Sequence, residues 1–285
     1  MNNSTLNPLV SIIIPLYNAE NYVHKTIESI LNQTYKNFEL IIVDDASTDN
    51  SIKIINSYVR DDKRIKLLQS SSNFGGPARP RNIGIRESKG EYIAFCDNDD
   101  LWENNKLEMQ LNQIIKNNFN FCCSDILLID ENNNELNFSF FRKITRMIFF
   151  TPTYFKLFFS SQIALSSVLI SREFLGENKF DEDKNLIACE DYLLWLTLFR
   201  KKQIKYYKTK DKLVRYRIIK NSASSNKIRQ QIIWMYCLTK HIINEKDFSF
   251  YPRLVIAYIF FAIKFPWISI FNYSLMRRNQ KKNIL

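Results

Sequence analysis

The chain has 285 residues and a net charge of +11, from 40 Lys/Arg against 29 Asp/Glu. That length suits one large domain, or a domain with an appendage, and allows a full core. Five cysteines fall in no CxxC pair and no Cys/His cluster, which argues against a zinc site and reads as free thiols of a reducing cytoplasm.

The charge is unevenly placed. Residues 1–120 carry 13 Lys/Arg against 15 Asp/Glu, and residues 121–285 carry 27 against 14. A near-neutral, locally acidic front half fits a metal or polar-ligand site. A basic back half fits contact with something anionic. The opening "MNNSTLNP" is polar and the apolar run after it is short, so no signal peptide is expected.

In chain order, "LVSIIIPLY" (9–17) is an unbroken apolar, β-branched run, as expected of a strand buried on both faces. Tyr22, Val23, Ile27, Ile30 and Leu31 then recur at helical spacing. "FELIIVDD" (38–45) is a second buried strand, and "SIKIINSYV" a second helix entered through the capping residues of "ASTDNS". "RIKLLQ", "RNIGIRESK" and "EYIAFCD" continue as strand, helix and strand. Four alternations within about 100 residues predict an α/β fold with an open, mostly parallel sheet and right-handed crossovers. Ligands in such sheets bind beyond the carboxyl ends of the strands. Asp44 and Asp45 stand at one such end, and Asp97–Asp100 at another.

Of five glycines, Gly75, Gly76, Gly84 and Gly90 lie within sixteen residues, which suggests backbone bent closely around something. They form neither GxGxxG nor a P-loop, so dinucleotide and Walker-type sites are disfavoured. "NFCCSDILLID" reads as a strand, "SSVLISREFL" as a strand or strand–helix unit, and "EDYLLWLTLF" as a helix opened by Glu190 and Asp191. Residues 138–159 hold eight Phe among scattered cations and are expected on the acceptor side of a site. Residues 254–276 hold one charge, Lys264, and one proline, Pro266, before "RRNQKK". An interfacial or re-entrant helical hairpin is favoured there over a membrane span and over a soluble packing helix.

"VSIIIPLYNAENYVHKTIESILNQTYKNFELIIVDDASTDNS", "RNIGI" and "KGEYIAFCDNDD" resemble the inverting family 2 glycosyltransferases of the GT-A fold, over about residues 9–220. The resemblance implies a nucleotide-sugar donor, UDP-linked by expectation, with Pro15, Tyr17 and Asp45 in the base pocket. "DND" implies the family's DxD motif, with Asp99 as metal ligand and Asp97 contacting ribose or metal. Side chains alternate along an extended segment, so the two acids share one side. Hard oxygen ligands there suit Mn2+ or Mg2+. Arg81 resembles a diphosphate-contacting arginine, although Arg79 and Pro80 replace the usual small residues and leave Arg79 as an alternative. "CED" resembles the ED motif, which makes Asp191 the catalytic base and Glu190 a positioning or structural residue. A helix N-terminus lowers a carboxyl pKa, so Asp191 is expected ionised but weakened as a base.

Two departures stand out. Ile219 in "YRIIKNSASS" occupies a position where histidine is common, with Lys220 or Ser222 as candidate replacements. "RQQIIWMY" lacks the processive QxxRW pattern, which favours single-sugar transfer. His24 and His241 lie outside every motif. The expected organisation is a catalytic domain at 1–225 and a helical, membrane-associated extension at 226–285. The expected partners are the donor, a glycan or lipid-linked acceptor of bacterial surface polysaccharide synthesis, and the cytoplasmic leaflet of the inner membrane. No motif supports nucleic-acid binding. A nucleotidyltransferase is disfavoured because no glycine- and lysine-rich loop opens the chain. A membrane-associated nucleotide-sugar-binding protein without transferase activity is the alternative.

Overall fold

The structure, a computed structural model, describes residues 7–259 apart from 139, 161–162, 221–226, 247–250, 253–254 and 257. Strand β1 (Val10–Leu16) is buried along its whole length because it has a parallel neighbour on each side. These are β2 (Phe38–Asp44), with Val10 opposite Phe38, and β4 (Tyr92–Phe95), with Val10 opposite Tyr92. β3 (Ile65–Gln69) lies parallel outside β2. The connections are α1 (Val23–Leu31), α2 (Ser51–Asp61) and α3 (Ala78–Glu87). At the start of α2 the expected cap is supplied from two residues back, where Asp49 accepts from the Ser51 N–H.

The second half follows a different pattern. It contains β5 (Leu101–Trp102), α4 (Lys106–Asn117), β6 (Phe121–Ile129), β7 (Glu135–Leu136), α5 (Phe140–Ile148), α6 (Tyr154–Leu157), β8 (Leu169–Ser171), α7 (Arg172–Leu175), α8 (Glu190–Arg200), β9 (Tyr206–Arg217) and α9 (Lys227–Glu245). The sheet order is β3-β2-β1-β4-β8-β6-β9-β5, with β7 paired to β6. β8 runs antiparallel to both β4 and β6, and β5 antiparallel to β9, while β6 and β9 are parallel. The expected mostly parallel sheet therefore holds for the first four strands only, and the whole sheet is mixed. The strands after β4 are not joined by the regular helical crossovers that a parallel sheet needs.

The strand alternation divides the core between the two faces of the sheet. Ile12 and Ile14 of β1, Ala94 of β4 and Cys122 of β6 pack with α1, α2 and α4. Ile13, Ile93 and Phe95, and Phe121 face the other way, against α3, α8 and α9. Phe121 sits edge-on to both Trp195 and Phe199, 5.4 and 5.3 Å between ring centres. At 25 cal/mol per Å², apolar burial of this kind is the main stabilising term.

The expected boundary at residue 225 falls among residues outside the described set. The helix that follows it is tied to the core on one face of the sheet. Trp234, Cys237, Leu238 and Ile242 of α9 are buried with Tyr192 and Trp195. Trp234 stacks on Tyr192 at 5.5 Å, and Lys240 reaches Asp181 and Asp183 at 2.7 and 2.9 Å. Among the described residues no helix is long and apolar enough to cross a membrane. Most of the 254–276 segment, and Ser222, lie outside them.

The glycine cluster serves two purposes rather than one. A Cβ on Gly84 would stand 2.4 Å from Ile13 Cγ2, so that glycine lets α3 lie against β1. Gly75, at φ +84°, takes a conformation unfavourable for other residues and lines a cleft, as does Gly76.

Candidate active site

Strands β1, β2 and β4 run in one direction, so the loops at their carboxyl ends gather at one edge. A cleft of about 510 Å³ opens there. Pro15 and Tyr17 enter from β1, Asp45 from β2, Arg81 from α3, Asp97 and Asp99 from β4, and Glu190 and Asp191 from the start of α8. These eight residues thus line a single cavity, although they run from residue 15 to residue 191.

The neighbouring acids Asp44 and Asp45 have different surroundings. The Asp44 carboxylate accepts the Ser47 N–H at 3.2 Å from both oxygens, closing the turn after β2. Asp45 accepts the Phe74 N–H at 2.9 and 3.1 Å and faces the cleft. Burial pushes the Asp45 carboxyl up, against the lowering effect of the Phe74 and Gly75 N–H groups. Tyr17 is exposed at the rim.

The acids after β4 also divide. Asp100 is fully buried, accepting from Ser166 Oγ at 2.5 Å and from the Arg217 N–H at 2.9 Å. It is a structural anchor of the loop. Asp97 and Asp99 face the cleft, with Arg217 holding the Asp99 carbonyl at 2.8 Å. Burial, then the nearby Asp97 carboxylate, pushes the Asp99 carboxyl well above the usual range. A divalent cation relieves that penalty, so the pair suits Mn2+ or Mg2+. Among the described residues no group of three or more His, Cys, Asp or Glu forms a closed metal cage. Two carboxylates open to a cavity fit a cation that arrives with a diphosphate.

Arg81 is 3% exposed and bridges two motifs. One terminal nitrogen donates to Asp97 at 2.7 Å and the other to Glu190 at 2.5 Å. Its Nε is buried without a hydrogen-bond partner. Burial alone would push the guanidinium pKa down, but Asp97 and Glu190 raise it overall. Arg79 lies elsewhere, its guanidinium 3.8 Å above the Phe74 ring and beside a smaller neighbouring cavity.

Asp191 stands at the first turn of α8, accepting its neighbour's N–H, that of Tyr192, at 2.7 Å. The helix-terminus expectation for it is reversed. Burial, then Glu190, pushes its carboxyl up to about 7, and the opposing effects of Arg81 and the Tyr192 N–H are smaller. Desolvation outweighs the helix dipole at this position.

Several lining residues carried no signal that singled them out. Arg217 and Tyr216 precede Ile219 in the motif that was read for a missing histidine; Ile219 does line the cleft, and Lys220 is not among its lining residues. Ser166, which lies behind the cleft and accepts the Asp97 N–H while donating to Asp100, belongs to no motif. His241 is buried and pairs with Tyr154, whereas His24 is exposed beside Tyr58 and Glu28. A second cavity of about 410 Å³ shares Asp97, Leu165, Asp191, Tyr216 and Gln230 with the cleft and continues toward Phe138, Arg146, Phe159 and Trp234.

Residues 11–175 match the domain described as glycosyl transferase family 2. An uncharacterized glycosyltransferase of Haemophilus influenzae is 39% identical over 80% of this chain and 86% of its own. The Escherichia coli UDP-Glc:alpha-D-GlcNAc-diphosphoundecaprenol beta-1,3-glucosyltransferase WfgD is 36% identical over 78% and 82%. The putative teichuronic acid biosynthesis glycosyltransferase TuaG of Bacillus subtilis is 34% identical over 77% and 83%. Among solved structures, S. aureus TarS 1-349 in complex with UDP aligns with a TM-score of 0.62 at 22% identity, over 82% of this chain and 65% of that one, just under two thirds of its length. Mannosyltransferase PcManGT from Pyrobaculum calidifontis, in complex with GDP-Man and Mn2+, aligns with a TM-score of 0.64 at 17% identity, over 94% and 74%. These likenesses give the fold, which is GT-A-like. By the domain match and the relatives together, the chain is a glycosyltransferase belonging to glycosyl transferase family 2.

Proposed function

We propose that this enzyme transfers a single sugar, with inversion, from a UDP-sugar to a sugar carried on a lipid diphosphate in bacterial surface polysaccharide synthesis. The observation that carries the reading is the convergence of Asp45, the Asp97–Asp99 pair and Asp191 on one cleft. Asp45 accepts a hydrogen bond from the imide N–H of the base, with Pro15 and Tyr17 beside it. Asp99 and Asp97 would hold Mn2+ or Mg2+, which when bound neutralises charge on the diphosphate leaving group. Asp191 takes the proton of the acceptor hydroxyl as that oxygen bonds to the anomeric carbon. The bond from that carbon to the diphosphate breaks on the opposite face, and its electron pair leaves with the nucleoside diphosphate. A base with proton affinity near neutrality suits this step. No carboxylic acid is required on the leaving group, unlike in glycosidases.

The names of WfgD and TuaG support the donor, the lipid-diphosphate acceptor and the polysaccharide setting. The cavity beyond Asp191 supports an acceptor approach from the side of residues 138–159. A screen of purified protein with Mn2+ and a sugar acceptor on a lipid diphosphate, against UDP-, GDP- and dTDP-sugars, tests the reading. UDP release from one UDP-sugar is expected, with the transferred anomer inverted by NMR. Absence of nucleoside diphosphate release from every donor would overturn it.

A further inference from the structure

Helix α5 has two dissimilar faces. Thr145 and Arg146 line the cavity that reaches Asp191, and Arg146 pairs with Asp125 on β6. Ile144, Met147 and Ile148 fall at i, i+3 and i+4 on the other side, 36%, 77% and 55% exposed. The apolar surface continues: Phe149 stacks on Phe159 at 6.3 Å, and Phe159 meets Phe155, itself 51% exposed, at 5.2 Å. Four large apolar side chains are thus open to solvent within twelve residues, a concentration that marks an interaction surface.

Its charge identifies the partner. Residues 138–159 contain Arg142, Lys143, Arg146 and Lys156 and no acid. The adjoining part of β9 adds three lysines around one exposed acid, Asp211. Lys208 Nζ lies 4.8 Å from the Phe150 ring, and Lys212 is in register with Asp125, the partner of Arg146. Lys210 and Lys212 are exposed. Apolar side chains on one helix face with exposed lysines at its rim fit the headgroup–acyl boundary of an anionic bilayer. An acidic protein partner would match the rim but not the Met147–Ile148 face.

We infer that α5 and α6 dock the enzyme on an anionic membrane surface, so that the cavity leading to Asp191 opens beside the lipid from which the acceptor rises. The inference deepens the lipid-linked acceptor of the proposed function and rests on that reading. It assigns membrane contact to residues 144–155, apart from anything the tail contributes.

All five native cysteines are buried, so a single introduced thiol can be labelled selectively. Full-length Met147→Cys carrying an environment-sensitive NBD label is mixed with vesicles of phosphatidylglycerol and phosphatidylethanolamine. Lys53→Cys on α2, at the opposite edge of the sheet, is the control. The Met147 label is expected to shift to the blue and to be quenched by doxyl-labelled lipid, with neither effect at position 53. Met147→Glu/Ile148→Glu should weaken vesicle partitioning by roughly tenfold or more. Three results would overturn the inference. A label at 147 that stays in water while the protein pellets with vesicles would assign binding to another segment. A label already blue-shifted without vesicles would mean that the chain covers this face itself. Failure of the protein to pellet with vesicles would remove the membrane surface. None of these touches the donor screen, so the transferase reading fails or stands separately.

Discussion

The replacement Asp191→Asn keeps the shape of the side chain and removes its basicity. In the wild type, burial and Glu190 hold this carboxyl at about 7, so the base is mostly protonated at pH 6 and mostly ionised at pH 8. Transfer at saturating donor and Mn2+ should therefore rise about tenfold per pH unit below pH 7 and level off above it. The amide variant should lose roughly 10²- to 10⁴-fold in transfer, about 2.7 to 5.4 kcal/mol of barrier, and lose the acid limb as well. Donor affinity should hardly change, because the base acts on the acceptor. Stability gives an independent check with a definite sign. A raised carboxyl pKa means that the folded chain binds this proton more tightly than the unfolded chain, so ionisation at this site lowers stability as pH rises from about 4 to 7. Asp191→Asn removes that penalty. It should melt no lower than wild type at pH 8, with any advantage shrinking toward pH 4. Single-turnover transfer with a fluorescent acceptor, donor calorimetry and thermal melts across pH 5–9 measure all three quantities. Near-wild-type transfer, or a retained acid limb in the variant, would refute the assignment of the base.

Three further outcomes are expected. Asp99→Asn should abolish Mn2+-dependent UDP binding by calorimetry while the thermal melt persists, and unchanged metal dependence would exclude Asp99 as a ligand. Arg81→Met leaves Glu190 buried beside Asp97 without its cation, a loss of about 3–5 kcal/mol or roughly 5–8 °C in Tm; a shift under 2 °C by calorimetric melting would show that the bridge contributes little. A chain ending at residue 225 should aggregate, because Trp234, Cys237, Leu238 and Ile242 complete the core at about 1.5–3 kcal/mol each. One ending at 246 should elute as a folded species in size-exclusion chromatography, and the reverse order would refute the packing argument.

The first four strands and their helices were legible because local pattern and tertiary environment agree. β1 is apolar but for Ser11 since both its edges and both its faces are covered, and a run of that kind has few other uses. The site residues were legible for a related reason: short acidic segments at strand ends stand out against apolar runs. The division of labour within each acidic segment was less visible. Asp44 against Asp45, and Asp100 against Asp97 and Asp99, are decided by which backbone N–H or hydroxyl lies nearby, and those groups come from distant sequence, such as Phe74 and Ser166. The direction of β8 was hidden because three residues carry no orientation signal. The proton affinity of Asp191 was misjudged because helix position is local, whereas burial depends on the whole fold.

The change of sheet direction after β4 bears on how the cleft works. Parallel strands bring the loops of β1, β2 and β4 to one edge and so build one side of the cleft, the proposed donor side, from Pro15, Asp45 and Asp97. A continued parallel sheet would extend that same side. Antiparallel β8 instead sends the chain back, and α8 begins at the same cleft with Glu190 and Asp191 at its first turn. Asp191 and the Asp97–Asp99 pair thereby reach one cleft from different elements, which suits the displacement proposed above. Arg81 joins the loop after β4 to the start of α8, one nitrogen on Asp97 and the other on Glu190. It is buried and has few alternative positions, so displacement of either element would strain both bonds. In the proposed mechanism the spacing between base and leaving group is thus set by a charged hydrogen-bonded bridge. Loss of that bridge should lower the transfer rate more than it lowers donor affinity.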